Sequence, residues 1–436
     1  MSGSKTDPRR AYEFVYAPLV KLCQFLVSRD VGNPSGTQAG RRGFWSLASN
    51  SGHALFLFLV FSLVVSWSTS GCQPPQVPEY EATPEPSAVR IAYLDGKNLK
   101  VMQVDGTNVV AVAHDLQPTQ CAPYYISPNG RWVAYQQADD GLWAVPTSGG
   151  AATLLSDGLA GSVSWFPDSS GMVYTLNDDV YALWLDQSRP PQPLAVGGRR
   201  YLFPSWSPDG KYIAFLETTD DPDIFNVILI QSDGTGWRTL GTTAPEPSQK
   251  SLCPDIVAWS PDSTRFLVDF GEPAFAFYVS GGSPVQVGAG SAPTNHSWSP
   301  DGRSLTYRDE LNRLWLTKAD GSDQRLLADF PVTEAVWAPM DRRVAYISHR
   351  DQDTALEIID VETGETRFLT SSDDYIEGNP RWTPDAQSLI FVRYQAQEDS
   401  RVELASAGIW RVSADGSASP QQLASTGDAV QVFAVR

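Results

Sequence analysis

The residues of this chain that could do chemistry are mostly carboxylates, and they come in short groups: Asp139-Asp140, Asp178-Asp179, Asp220-Asp221 with Asp223, Asp309-Glu310, Asp351 with Asp353, and Glu398-Asp399. Carboxylates crowded on one surface raise the local cation concentration, so such groups suit recruitment of a basic segment or of calcium. Asp221, Asp223 and Asn226 offer three oxygen donors, although their spacing matches no strong calcium-loop motif. The competing reading is that acidic loops simply keep a domain soluble. Other chemistry is scarce. Beyond residue 72 there are three histidines, at 114, 296 and 349, with no His-Glu-x-x-His spacing, no cysteine pair at zinc spacing and no Gly-x-Ser-x-Gly. His296, two residues before Trp298, could approach a central channel, and alone it reads as structural. No catalytic residue, no firm metal ligand and no cofactor other than calcium is assigned.

The elements that must carry these groups repeat. An apolar or aromatic anchor, a Ser-Pro-Asp-Gly-like turn and a short apolar strand recur at Ile126, Trp165, Trp206, Trp259, Trp298, Trp337 and Trp382, spaced 39, 41, 53, 39, 39 and 45 residues apart. That is the length of one four-stranded blade of an all-β propeller. Seven residues after the anchors stand Val133, Met172, Ile213, Phe266, Leu305, Val344 and Leu389; nine after stand Tyr135, Tyr174, Phe215, Val268, Tyr307, Tyr346 and Phe391. The residues between them, such as Ala214 and Ile390, are mostly apolar too, and a strand apolar at consecutive positions is covered on both faces. Neighbouring blades supply that cover.

In Ser207-Pro208-Asp209-Gly210 the proline presets a type I turn and the glycine accepts the left-handed conformation, so the aspartate reads as a turn former. Ser169, Ser263, Asp341 and Ala386 replace that glycine. A left-handed non-glycine costs roughly 1 kcal/mol, which predicts looser hairpins there. A second hairpin follows in each repeat, with Gly turns at Gly106, Gly149-Gly150, Gly234, Gly281-Gly282, Gly321, Gly364 and Gly416. At the start, Ile91-Ala92-Tyr93 matches the apolar strand but has no anchor before it; at the end, Ala429 to Arg436 is a strand with no hairpin after it. Together they complete one blade and hide two edges. Seven repeats plus this split one predict eight blades, with seven as the alternative count.

Ahead of the propeller, Ala54 to Val65 is mostly apolar, and as a helix its length of about 18 Å falls short of the ~30 Å hydrocarbon core, which suits a signal segment. It leads into Thr69-Ser70-Gly71-Cys72, which resembles the lipobox of bacterial lipoproteins; the resemblance implies that Cys72 is lipidated. The expected organisation is a leader over 1–53, a signal and lipobox segment over 54–72, a Pro- and Glu-rich tether over 73–88 and a propeller over 89–436. An uncleaved N-terminal anchor is the alternative. Residues 1–72 carry seven basic and three acidic residues, which leaves 25 basic and 47 acidic, a net charge of −22, on the part expected outside the cytoplasm. Such a surface repels nucleic acid. Cys121 and Cys253 precede the inner strands of different blades and read as separate free thiols.

The Ser-Pro-Asp-Gly repeats resemble those of TolB-like propellers, the WD40-like family of bacterial envelope proteins, over residues 89 to 436. The resemblance implies a non-enzymatic, membrane-anchored extracytoplasmic propeller that binds a protein or peptide of the cell envelope. A role in the Tol-Pal system does not carry over, because only sixteen residues separate Cys72 from the propeller, too few for a further α/β domain. An envelope enzyme or carbohydrate-binding propeller acting at the channel mouth is the alternative.

Overall fold

The computed structural model describes residues 89–435 apart from 115, 117–123, 138–140, 159, 222, 244–256, 270–273, 289–293, 351–352, 371–374, 396–406 and 427–429. Within them lie eight four-stranded antiparallel sheets, arranged as the blades of a ring. Blades 2 to 8 follow the chain over 124–156, 160–195, 201–243, 257–287, 294–328, 332–368 and 375–426. In each, the strand ending at the anchor is innermost and the other three follow outward in order. Blade 1 takes its outer three strands from 90–113 and its innermost from Val430–Val435. Ile91 pairs with Val435, Ala92 with Ala434 and Tyr93 with Val432, the closure that the two chain ends predict.

The repeat columns form the core. Val133, Met172, Ile213, Phe266, Leu305, Val344 and Leu389 are fully buried, as are the intervening Ala134, Val173, Ala214, Leu267, Thr306, Ala345 and Ile390. Two residues further on, Tyr174, Phe215, Tyr307, Tyr346 and Phe391 are among the largest side chains with no exposure. Each such ring contributes about 1.5–3 kcal/mol of burial, and the burial falls on both faces because every sheet is flanked by two others.

The first hairpin of a repeat is held by a hydroxyl as well as by its turn. Ser207 Oγ donates to Asp209 Oδ1 (2.7 Å) and accepts from Tyr212 N (2.9 Å). The same pair of bonds recurs from Ser127, Ser260, Ser299 and Thr383. The hydrogen bonds from Ser299 and Thr383 hold the carboxyls of Asp301 and Asp385 below the usual range. The expectation of looser hairpins fails for three of the four substituted turns. Ser169, Ser263 and Ala386 take the left-handed conformation, with φ of 63°, 57° and 54°. They close with 2.8–2.9 Å bonds, against 2.9 Å for Gly210. Two of them gain a compensating contact: Ser169 Oγ accepts from Asn129 N (3.0 Å) and Ser263 Oγ from Asp209 N (2.9 Å), each on the preceding blade. Asp341 differs, with no positive φ, and its carboxylate caps Arg343 N instead.

Two belts join the blades. Inside, the anchor indole of one blade donates to the carbonyl just before the anchor of the preceding blade: Trp165 to Tyr125 (3.0 Å), Trp259 to Ser205 (3.1 Å), Trp298 to Ala258 (3.1 Å), Trp337 to Ser297 (3.0 Å) and Trp382 to Val336 (3.1 Å). Trp206 is the exception. Its Nε1 is buried without a partner, and its ring instead packs 4.3 Å from Phe166, which stands where most repeats have serine or threonine. Outside, Arg238, Arg325 and Arg367 donate to carbonyls of the next blade, at Val279, Val361 and Asp415.

The ladder sets a measurable contrast. Trp298→Phe strands the Ala258 carbonyl and is expected to cost about 1–3 kcal/mol beyond the lost ring area, whereas Trp206→Phe loses ring area alone. Equal losses in urea unfolding would show that the indole bonds contribute nothing. Because folding lowers the Asp301 and Asp385 pKa values, their contribution is full above the unfolded value and disappears as pH falls through the folded one. The melting temperature should therefore drop below about pH 4, and drop less in Asp301→Asn/Asp385→Asn.

Candidate functional site

Antiparallel order places every second-to-third-strand turn on one face of the ring, together with the connections that enter the next blade. The acidic groups of blades 3, 4 and 6 belong to that face. Asn177 and Asp178, with φ of 51° and 69°, form the tight turn of blade 3. Asp178 pairs with Arg200 (3.1 Å), and Asp179 accepts from Gly197 N (3.2 Å). In blade 4, Asp220 lies 3.2 Å from Arg199 and Asp221 caps Asp223 N (3.0 Å). Asn226 donates to Glu217 Oε2 (2.8 Å), so its amide is engaged within the blade rather than with Asp221 and Asp223. In blade 6, Asp309 accepts from Arg313 N (2.9 Å), Arg313 Nε (2.8 Å) and Trp315 Nε1 (2.9 Å). Partial burial opposes its ionisation, but those donors prevail and hold the carboxyl below its ordinary value. Glu310 follows in the same turn. Asp139, Asp140, Asp351, Glu398, Asp399, Cys72, Cys121 and Cys253 lie outside the described residues, and of Asp353 only the backbone is described, opposite Arg350. The rim is thus mixed in sign, with Arg199, Arg200 and Arg313 set against its aspartates. Among the described residues no group of three or more His, Cys, Asp or Glu is placed to hold a metal ion.

Behind the rim, blades 5 to 8 bring charged side chains into the ring. His296 Nδ1 lies 2.6 Å from Asp269 Oδ2 across the seam of blades 5 and 6. The imidazole is 1% exposed, stacks on Tyr307, and its Nε2 is buried without a partner. In blade 7, Thr333 Oγ1 and His349 Nε2 are 3.0 Å apart; burial, helped by Arg308, lowers the His349 pKa. Glu334 lies 4.0 Å from Arg381 of blade 8. Deeper still, Glu377 takes two bonds from Arg393 (2.8 and 2.9 Å), one from Leu356 N (2.8 Å) and one from Thr370 Oγ1, locking blade 8 to blade 7. Glu357, equally buried, accepts from Tyr346 and Arg350, and burial with that carboxylate pushes the Tyr346 phenol up.

The backbone of the inner strands is irregular at this level. Register shifts precede the anchors of blades 3, 4, 6, 7 and 8. Phe203, Glu334 and Asn379, each three residues before its anchor, have φ of 53°, 51° and 58°. Such conformations cost roughly 1–3 kcal/mol each and cluster at binding sites. Reading the acidic groups alone misses Asp269, Glu334, Glu377 and Arg393. A column comparison carries a signal for Glu377, which stands where Ala160, Tyr201 and Val332 occur, and for Asp269 only through its partner His296, which stands where Val163, Pro204, Val257, Ala335 and Pro380 occur.

No protein-family model matches the chain. The uncharacterised protein Atu1656 of Agrobacterium fabrum is 23% identical over 262 residues, 44% of this chain and 84% of that protein. Among solved structures, the dihydro-heme d1 dehydrogenase NirN in complex with DHE is similar with a TM-score of 0.55 and 12% identity, covering 83% of this chain and 77% of that one. TolB from Acinetobacter baumannii is 14% identical, covering 64% of this chain and 77% of that one, with a TM-score of 0.34. The likeness to NirN, at this identity, shows the fold alone.

The Glu377–Arg393 pair yields a stability prediction. Glu377→Gln leaves a guanidinium buried against a neutral group and is expected to cost about 3–5 kcal/mol, while Glu377→Leu/Arg393→Met costs far less than the sum of its two single changes. Additive losses in a double-mutant cycle would show that the two side chains act independently.

Proposed function

We propose that this chain is a non-enzymatic, membrane-anchored extracytoplasmic propeller that holds a protein or peptide of the cell envelope at its channel mouth. The observation that carries the reading is the rim itself: aspartates of blades 3 and 4 are fixed by turn bonds and arginines on one face of a ring whose blades are locked together inside and out. Loops displayed on a rigid scaffold carry specificity, and neighbours with this fold include TolB. The net charge of −22 beyond residue 72 suits a basic partner. Among the described residues no helix is long and apolar enough to cross a membrane. The reading of an anchor at Cys72 rests on the sequence of the apolar segment and the Thr69-Ser70-Gly71-Cys72 that follows it.

A second reading rests on a separate observation. An imidazole oriented by a carboxylate, as Asp269 orients His296, is the arrangement of a general base or a ligand-binding histidine, which would suit an envelope enzyme or carbohydrate-binding propeller. The two readings separate by mutation, since binding at the rim survives His296→Gln and a reaction at the dyad does not.

Charge at the mouth speeds encounter, and salt shortens the Debye length to about 8 Å at physiological ionic strength. Neutralising Asp220, Asp221 and Asp223 together should slow association with a lysine-rich probe peptide and flatten its salt dependence, leaving the melting temperature nearly unchanged. It should also abolish any calcium-induced rise in melting temperature. An unaltered salt slope would reduce the rim to a solubility device. For the anchor, Cys72→Ala should end labelling by a fatty-acid probe in cells; persistent labelling would place the lipid elsewhere.

A further inference from the structure

One first hairpin departs from its counterparts in a way that has chemical consequences. Blade 2 carries Asn129 where Asp168, Asp209, Asp262, Asp301 and Asp385 stand in other repeats, and Asn129-Gly130 is the single Asn-Gly pair of the chain. A residue with no Cβ after an asparagine lets its backbone nitrogen approach the carboxamide. We propose that Asn129 is a deamidation site that the folded hairpin holds in check, and that the same hairpin discriminates between the two products.

The reaction needs only water. Gly130 N attacks Cγ of Asn129; that C–N bond forms, the Cγ–Nδ2 bond breaks, and ammonia leaves with the proton shed by Gly130 N. Water then opens the cyclic imide at one carbonyl to give aspartate or at the other to give isoaspartate.

In the folded chain both reacting groups are occupied. Gly130 N donates to Ser127 O at 2.8 Å. Asn129 Oδ1 accepts from Ser127 Oγ (2.8 Å) and from Arg131 N (3.0 Å), which fixes the carboxamide with its oxygen toward the hairpin backbone. Asn129 N is tied to Ser169 Oγ of blade 3 at 3.0 Å, and Gly130 is set at φ 66°. Attack requires the turn to open, so the rate follows local unfolding of this hairpin. Asn129 is exposed, and water reaches the imide once it forms.

The products meet different fates. Aspartate reproduces the contacts of Asp301 and Asp385, where ionised oxygens take the same hydroxyl and amide and are stabilised by them. Charge-assisted bonds of this kind are roughly twice as strong as neutral ones. Isoaspartate routes the main chain through the side chain and adds a methylene to the turn. Gly130 N then no longer reaches Ser127 O, and the tie to Ser169 across the blade 2–3 seam is lost.

The full chain is incubated at mildly alkaline pH, folded and in urea, and the peptide containing residue 129 is followed by mass spectrometry, with isoaspartate quantified by enzymatic methyl transfer. Deamidation is expected to be roughly tenfold or more slower in the folded chain, with folded Ser127→Ala between the two. Asn129→Asp should melt at or above the parent temperature, and aged protein rich in isoaspartate below it. Equal rates in folded and unfolded chain, an unchanged rate in Ser127→Ala, or a lowered melting temperature in Asn129→Asp would each overturn the proposal.

Discussion

The bond from an anchor indole to the carbonyl before the preceding anchor is the interaction on which the ring depends. A blade alone is a small twisted sheet with apolar residues on both faces, and it becomes stable only between two others. Apolar contact sets the approach of two sheets but not their rotation or height. A hydrogen bond to a backbone carbonyl sets both, because its donor must arrive within about 3 Å and nearly in line. Five seams repeat it within 0.1 Å, at 3.0 to 3.1 Å. At the seam of blades 3 and 4, Phe166 against Trp206 substitutes an aromatic contact, so the inner belt tolerates a change of chemistry where shape is retained.

From that rigidity follows the distribution of strain and charge. Left-handed residues at Glu334 and Asn379 and buried carboxylates at Glu357 and Glu377 each carry a free-energy cost, which a loosely packed ring would relieve by rearranging. The locked seams of blades 6 to 8 hold them in place. The Glu377 carboxylate is itself part of the lock, since two of its four bonds reach from blade 8 to Leu356 and Thr370 of blade 7 and the other two hold Arg393 of its own blade. The mouth differs in kind. There the aspartates sit in tight turns, and Arg199, Arg200 and Arg313 divide the rim into patches of opposite sign. A partner reading such a surface meets a pattern as well as a net charge.

The substituted hairpins show how a local rule gives way to a tertiary contact. Left-handed serine is unfavourable in isolation, and the expectation of loose turns at Ser169 and Ser263 follows from that alone. Each hydroxyl, however, accepts an amide from the preceding blade, an acceptor that glycine does not have. The strain is offset at the seam. Asp341 obeys neither pattern, and its carboxylate caps the backbone one residue later than in the other turns.

The part of the fold legible in the amino-acid chain is the part that repeats. The spacing of the anchors, the two buried columns, the paired hairpins and the unmatched strands at the ends point to eight blades over the alternative of seven, and to their closure, because each follows from hydrophobic period and turn chemistry within a few residues. The acidic groups of blades 3, 4 and 6 were legible as turn residues for the same reason. Tertiary structure alone decided which charges meet. Asp269 and His296 are 27 residues apart and Glu377 reaches Leu356 across 21. Nothing local marks those pairs, since each partner lies on a different blade and their approach is fixed by the rotation between neighbouring sheets. The bulges at Phe203, Glu334 and Asn379 were likewise invisible: their side chains share no chemistry, and what they have in common is a place on the innermost strand, where the backbone must bend to close the ring.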